Sequence, residues 1–584
     1  MDILRLTKEE FQNRLSSHIE CVYGKDKSEV IVSRIIKVFE DLQPADLDNN
    51  TLVNDKAWDE SDVFLIAYGN SILSDSQKPL KALYQFLIKY MKGVISTVHV
   101  LPFFPYSSDD GFAVIDYRQV NQELGDWGDI KRISQQFDLM ADLVINHISS
   151  KSEWFQQFKN NEKPGCDYFI EADESLELAK VVRPRASSLL QEVEVSGAKK
   201  KVWCTFSADQ VDLDFSNPDV FIEFVRILRF YMESGVRTIR LDAVAFLWKE
   251  IGTSCINLPE THELIKVFRL IIERYFPRAL FLTETNIPNI ENLKYFGNSN
   301  EAHIIYNFSL PPLLLNAMWV GNSDYLVRWS MSLPPAPFGC TYLNFTASHD
   351  GIGLRPAEGM LSDDEIDSLV SGMHNFGGEV TSRAINDVDK RPYEINITWM
   401  SAMQGTAAGK DEYQIERFLC SQIIMLGLEG IPAFYFHSLL AGENDHEKFE
   451  ATRHKRSINR GQWKLEDVDL MLNDHTSYPC KVFYDLRRLI KLRSKQGAFH
   501  PNATQYTLHL GQSVFGFWRQ SMNREQSIFA IHNVTNVIQE LSLSNINLIC
   551  TDTWVDLIAW DTVDLAGGVL SLKPYQCVWI TNKA

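Results

Sequence analysis

From about residue 60 the chain alternates short apolar runs with amphipathic helical stretches, and this alternation restricts its architecture more than any other feature. VFLIAYG (63–69), VISTVHVLP (94–102), LMADLVINH (139–147), VRTIRLDAV (236–244), ALFLTETN (279–286), HIIYNF (303–308) and TYLNFTASHD (341–350) read as strands. They are short and rich in β-branched and aromatic residues, while helical patterns such as FIEFVRILRFYMESG lie between them. Strands and helices alternating over this length select an α/β fold, with a parallel sheet covered by helices. One (β/α)8 TIM barrel with inserted subdomains is the economical reading; a doubly wound open sheet is the alternative.

The departures from the alternation define the expected domains. Residues 1–55 read as an N-terminal helical extension, from the spacing of Val30, Ile31, Ile35, Ile36, Val38 and Phe39. Residues 56–147, 216–350 and 416–498 form the barrel. Residues 148–215 and 351–415 are long, mostly irregular inserts after strands, the usual place for functional lids. The second holds one helical pattern, DDEIDSLVSGM, before Gly377-Gly378 and Pro392 break any regular run. Residues 499–584 carry SVFGFWRQ, SIFAIHNV, GGVLSLK and QCVWITN, the texture of a separate all-β domain.

The net charge of −19 argues against nucleic acid or an anionic membrane as a partner, since both reward clustered Lys and Arg. A small anion needs only a local positive pocket. The charged N-terminus lacks a secretory pattern, and no apolar stretch reaches membrane-span length. Nine scattered cysteines without CxxC pairing read as reduced thiols and not as a zinc site. A cytoplasmic protein without metal or organic cofactor is expected. An isologous homodimer is the default assembly.

Barrel enzymes place reactive side chains at the C-terminal ends of strands. Four strand ends stand out. Asp142, Asn146 and His147 close one; Arg240 and Asp242 share a face of the next by the period of two; Glu284 closes ALFL; His349 and Asp350 precede Gly351. Each has a bland reading alone: a capped strand end, a structural ion pair, a helix cap, a turn. Together they put three carboxylates, two histidines and an arginine at strand ends of one barrel. Retaining glycosyl transfer needs a nucleophilic and a protonatable carboxyl roughly 5 Å apart, and a guanidinium beside Asp242 would keep it ionised.

DLVINH, IRLDAV, FLTETN and TASHDG, in this order, resemble the four signature regions of the α-amylase family of glycoside hydrolases. The resemblance spans about residue 60 to the end. It implies Asp242 as nucleophile, Glu284 as general acid/base and Asp350 as transition-state stabiliser, with His147, Arg240 and His349 lining the donor glucose subsite. LPFFPYSSDDGFAVIDY, VVRPR, KEIGTSCINLPET, YNFSLPPLLL, RPYEINIT and SINRGQW are similar to the sucrose phosphorylase branch, in which phosphate attacks the glucosyl-enzyme and α-glucose 1-phosphate leaves. That match implies that Asp109 and Arg460 grip the donor glucose and that Arg185 and Tyr393 face the acceptor and phosphate. The chain is longer than a typical sucrose phosphorylase. It has Arg391 and Glu394 where those enzymes tend to carry an acidic residue and a Gln. FLTETN followed by NIENLKYFG resembles the glucosylglycerate and glucosylglycerol phosphorylases of the branch more than the sucrose enzymes. Arg391 would suit an acceptor carboxylate or phosphate, unless it is a solvated loop residue.

The expected partners are thus a small α-glucoside and inorganic phosphate. An α-glucosidase or transglucosidase would use the same catalytic set, and discrimination rests on the second insert and VVRPR. A non-catalytic scaffold is disfavoured because all three carboxylates are present.

Overall fold

A computed structural model describes residues 6–42, 57–173, 177–185, 187–384, 390–546, 548, 553–564 and 566–583. Eight strands close a barrel: β1 (Phe64–Ala67), β2 (Thr97–Val100), β3 (Asp138–Val144), β4 (Val236–Asp242), β5 (Leu280–Thr283), β6 (Ile304–Tyr306), β7 (Thr341–Phe345) and β8 (Ile431–Tyr435). Neighbours in sequence pair in space, β8 returns to β1, and every pairing is parallel. The strands are buried on both faces, which is why they read as continuous apolar runs without alternation. The doubly wound alternative is excluded by the closure.

Seven of the strands fall inside the runs read from sequence. The eighth, β8, does not. It follows the apolar helix Gln414–Gly427 almost without a polar break, and Pro432 sits inside it, which argues locally against a strand. Its parallel pairing with β1 and β7 overrides that local signal.

Two helices precede the barrel, α1 (Lys8–Tyr23) and α2 (Lys25–Val38). Thr7 and Glu10 form a reciprocal capping box that starts α1. The helices lie on the outer barrel helices α3 (Pro218–Glu233) and α4 (Pro259–Tyr275). Phe11, Leu15, Ile19, Ile31 and Ile35 are buried there, each worth about 1.5–3 kcal/mol of transfer free energy. Val30, counted in the apolar stripe by spacing, is instead 62% exposed. Residues 43–56 lie outside the described part.

The stretch after β3 is less irregular than its composition suggests. It contains a helix (Glu153–Asn160) and a hairpin (Leu190–Val195 with Ala198–Trp203). The stretch after β7 holds a helix (Asp363–Asn375) and a small sheet of Ile352–Gly353, Lys390–Asn396 and Glu379–Ala384. Pro392 does not break this sheet, because the register shifts beside it: Thr381 faces Glu394 while Ser382 faces Pro392. Tyr393 is therefore the extra residue of a β-bulge, a device that re-aims side chains.

Helix α5 (Tyr478–Arg493) leads to a six-stranded sheet built from Thr504–Leu508, Val514–Gln520, Ser527–Asn533, Cys577–Thr581, Val555–Asp556 and Asp561–Thr562. Buried Arg493 and Arg519 tie it to the barrel by donating to the carbonyls of Leu426 and Gly427. Among the described residues all eight cysteines are free, no helix is long and apolar enough to cross a membrane, and no group of three His, Cys, Asp or Glu is placed to hold a metal ion.

Candidate active site

Strand β4 delivers Arg240 and Asp242 into the barrel mouth, where both are buried. Arg240 Nη1 donates to Asp242 Oδ1 at 2.7 Å and also to Asp142, its register partner on β3. His99 on β2 lies 2.6 Å from the other Asp142 oxygen. Burial pushes the Asp142 carboxyl up, but His99 and Arg240 pull it net below the usual carboxylate range. Asp142 thus anchors Arg240, and Arg240 holds one oxygen of Asp242.

Ala243, next after Asp242, is a non-glycine residue in the left-handed region (φ 50°). The turn aims its N–H at Glu284 Oε2, 2.9 Å away, while Glu284 N–H donates to Leu241 O at 3.1 Å. The Glu284 carboxyl is thereby fastened to the backbone beside Asp242. Burial pushes both carboxyls up, and each raises the pair's cost of double ionisation. The direct guanidinium contact belongs to Asp242, whereas Glu284 accepts only a neutral N–H. Burial pushes Asp242 up further than Glu284, and the Arg240 guanidinium opposes the shift at both.

Asp350 follows β7. Arg456 reaches it at 2.6 Å and touches Glu394 at 3.0 Å with its other arm. Burial raises the Asp350 carboxyl, but Arg456 and Arg460 pull it net below its ordinary value. Arg460 is buried, 2.8 Å from Asp110 and 3.5 Å from Asp109. Asp109 and Asp110 both have positive φ, and Gly111 between them and Phe112 is obligatory: a Cβ there would meet Pro102 O at 2.6 Å. This turn places Phe112 flat against the His349 ring, 4.8 Å apart with a 6° interplanar angle. Burial lowers both His147 and His349, which are therefore neutral hydrogen-bonding groups at pH 7. Behind His147, a buried Lys249 ammonium bridges Asp212 and Asn146 at 2.7 and 2.6 Å.

These groups line one pocket: Asp242, Glu284, Asp350, Asp109, His147 and His349, closed by Phe112, Phe206, Gln210, Asn286, Tyr393, Arg185 and Arg456. Asp109 Oδ1, His349 Nδ1 and Asn286 Oδ1 are buried without a hydrogen bond among the described residues, as suits a hydroxyl-rich ligand. Burial pushes the Tyr393 phenol up to about 12. Arg185, from the first insert, is 3.7 Å from Glu394. Arg240 and Arg460 brace the wall from behind.

The pocket shares Asp109, Arg185, Phe206, Gln210 and Arg456 with an outer vestibule of about 480 Å3, which adds Arg453, His454 and Lys455. Of the expected site residues, Arg240 and Arg460 stand behind the pocket wall and Arg391 lies away from it. It lies in the exposed part of its strand, half-exposed, and faces Asp363 at 3.4 Å. The exposed pair with Asp363 supports the solvated-loop alternative for Arg391.

Residues 85–327 match the α-amylase catalytic domain. A glucosylglycerate phosphorylase from Spirochaeta thermophila is 41% identical over 90% of this chain and 90% of its own length. The chain belongs to the α-amylase family, in its glycoside phosphorylase branch. A second glucosylglycerate phosphorylase, from Allomeiothermus silvanus, is 38% identical over 98% of this chain and 99% of its own, so the likeness includes the helices before the barrel. Among solved structures, a sucrose 6F-phosphate phosphorylase from Thermoanaerobacter thermosaccharolyticum superposes with a TM-score of 0.70 at 25% identity, covering 81% of this chain and 94% of that one.

Sequence reasoning missed Arg456, and it noted Glu394 only as a departure. Arg456 lies in a 3-10 turn, Lys455–Asn459, where no periodicity marks a face. Its signal was proximity to Arg460, one turn on. His99 and Lys249 also escaped notice, because each acts through a neighbour distant in sequence.

Proposed function

We propose that this retaining phosphorylase acts on glucosylglycerate, transferring its α-glucosyl group to phosphate and releasing glycerate and α-glucose 1-phosphate. The observation that carries this reading is the arginine-rich opening. Arg185 and Arg456 stand where the catalytic pocket meets a vestibule that adds Arg453 and Lys455, in a chain of net charge −19. An anionic acceptor and an anionic second substrate both favour such an opening, and the two glucosylglycerate phosphorylases compared point the same way.

In the first step the free oxygen of Asp242 attacks the anomeric carbon, and Glu284 gives its proton to the departing glycerate oxygen. Asp350 steadies the oxocarbenium-like charge, while Asp109, His147, His349, Arg240 and Arg460 hold or brace the donor ring. Hydrogen phosphate then attacks the β-glucosyl ester on Asp242, and its proton passes to Glu284, which restores the acid. Two inversions give net retention. Arg185 and Arg456 offset the charge of the dianion among carboxylates. Tyr393 flanks the acceptor. A cytoplasmic, dimeric enzyme is part of the same proposal, as are the boundaries at residues 55, 148, 216, 351, 416 and 499.

The test is α-glucose 1-phosphate release from glucosylglycerate, glucosylglycerol and sucrose with inorganic phosphate. Fastest phosphate-dependent release from glucosylglycerate is expected. Equal rates from the neutral donors would sink the glycerate assignment, and glucose release indifferent to phosphate would sink phosphorolysis.

A further inference from the structure

A groove of about 830 Å3 lies where helix α5 meets the C-terminal sheet, within the size range of small-ligand sites, and none of its residues lines the catalytic pocket or vestibule. Its walls carry Arg487, Arg488, Lys491, Lys495 and Lys583, against a single acid, Glu525. Trp560 stands 61% exposed at its rim, with Tyr484 on the opposite wall.

The cations call for a reason. Arg487 and Lys491 stand four apart on one face of α5, a spacing at which like charges repel, and Lys495 follows just past the end of the helix. The dipole of the α5 C-terminus favours Lys491 in the last turn, but not Arg487 a turn earlier, nor Lys583 from another element. Arg488 is tied to Ile558 O at 3.1 Å and Lys583 to Glu525 at 2.7 Å. Arg487, Lys491 and Lys495 have no carboxylate partner among the described residues, although acids outnumber bases by 76 to 57 in the chain. Arg487 is fixed over the rings of Phe483 and Tyr484, and its buried Nε lacks a hydrogen bond. Trp560 is held with φ 61°, a strained conformation for a bulky residue, at the end of the 556–560 turn.

We propose that this groove binds a small phosphorylated metabolite, with its phosphate groups on the Arg487–Lys491–Lys495 row and its sugar ring or base against Trp560. A guanidinium and two ammonium groups in a row match a polyphosphate or bisphosphate. An indole face packs against either a base or a sugar ring. Nucleotides and sugar bisphosphates share this chemistry, and the experiment separates them.

Full-length protein is titrated calorimetrically with ATP and with fructose 1,6-bisphosphate, in parallel with an Asp242→Asn variant. At least one ligand binds both proteins with unit stoichiometry, and the tighter one names the source. A Lys491→Glu/Lys495→Glu double variant, both sites being exposed, loses that binding while phosphorolysis stays at the wild-type rate. Trp560→Ala weakens it. The proposal is overturned if neither ligand binds or if the double variant binds unchanged. It is equally overturned if the charge reversal changes the sedimentation of the unliganded protein, because the groove is then an interface between copies.

Discussion

The half of the pocket proposed to hold the donor and the half proposed to face the acceptor are built differently. Asp142, Arg240, Asp242 and Glu284 sit on or just past barrel strands, the first three buried and Glu284 partly so, and hold one another through charged hydrogen bonds or fixed backbone donors. Arg185, Tyr393 and Glu394 come from the two inserts, and Arg456 from a short turn after β8. The donor half is rigid by construction, since moving any member breaks a barrel strand's register. The acceptor half is attached to it through ion pairs at 2.6 to 3.7 Å. On the proposed function, the chemistry belongs to residues fixed on barrel strands and the choice of acceptor to residues carried by inserts and a turn.

Substitutions that strike one half alone test the division, and the largest effect belongs to the donor side. Asp242→Asn removes the nucleophile and is expected to lower α-glucose 1-phosphate release on the order of 10⁴-fold or more. Near-normal turnover would instead move the nucleophile elsewhere. Glu284→Gln should cost roughly 10²–10⁴-fold with a poor leaving group and much less with α-glucosyl fluoride, which needs no proton. The same residue sets a pH limb. Burial raises its pKa, an acid works only while protonated, and so kcat/KM falls as pH rises through that raised value. The alkaline limb should vanish in Glu284→Gln; its persistence would assign it to another group.

On the acceptor side, Arg185→Ala should raise the KM for phosphate or glucosylglycerate about 10–100-fold, the worth of one charge-assisted hydrogen bond, with little change in hydrolysis of α-glucosyl fluoride. An equal loss on both substrates would show that the halves are not separable. Arg391→Ala, at an exposed pair with Asp363, should change neither kinetics nor stability by more than about 0.5 kcal/mol, as measured by urea denaturation and initial rates. A larger kinetic change would return that arginine to the acceptor side.

The same division explains what could be read from the chain alone. Strand ends are legible because the period of two and the barrel rule fix where Asp242, Arg240 and Glu284 point. Seven strands were visible as short continuous apolar runs, because both of their faces are buried. β8 was not, because Pro432 and its fusion with an apolar helix erase the local signal. Arg456 and Glu394 were not legible as a clamp, because their meeting depends on how an insert folds back over a distant turn. Arg391 stayed open between the acceptor side and a solvated loop because composition shows a charge but not its exposed pairing with Asp363.

The catalytic pocket and the vestibule share Asp109, Arg185, Phe206, Gln210 and Arg456, so the vestibule is a doorway to the pocket. The released alcohol has to clear it before phosphate can pass, so the glucosyl-enzyme waits between two visitors and each turnover is a queue. Alcohol left in the doorway holds the next phosphate outside. In kinetic terms, the proposed function predicts that added glycerate inhibits competitively against phosphate and that the reaction slows as its own product accumulates.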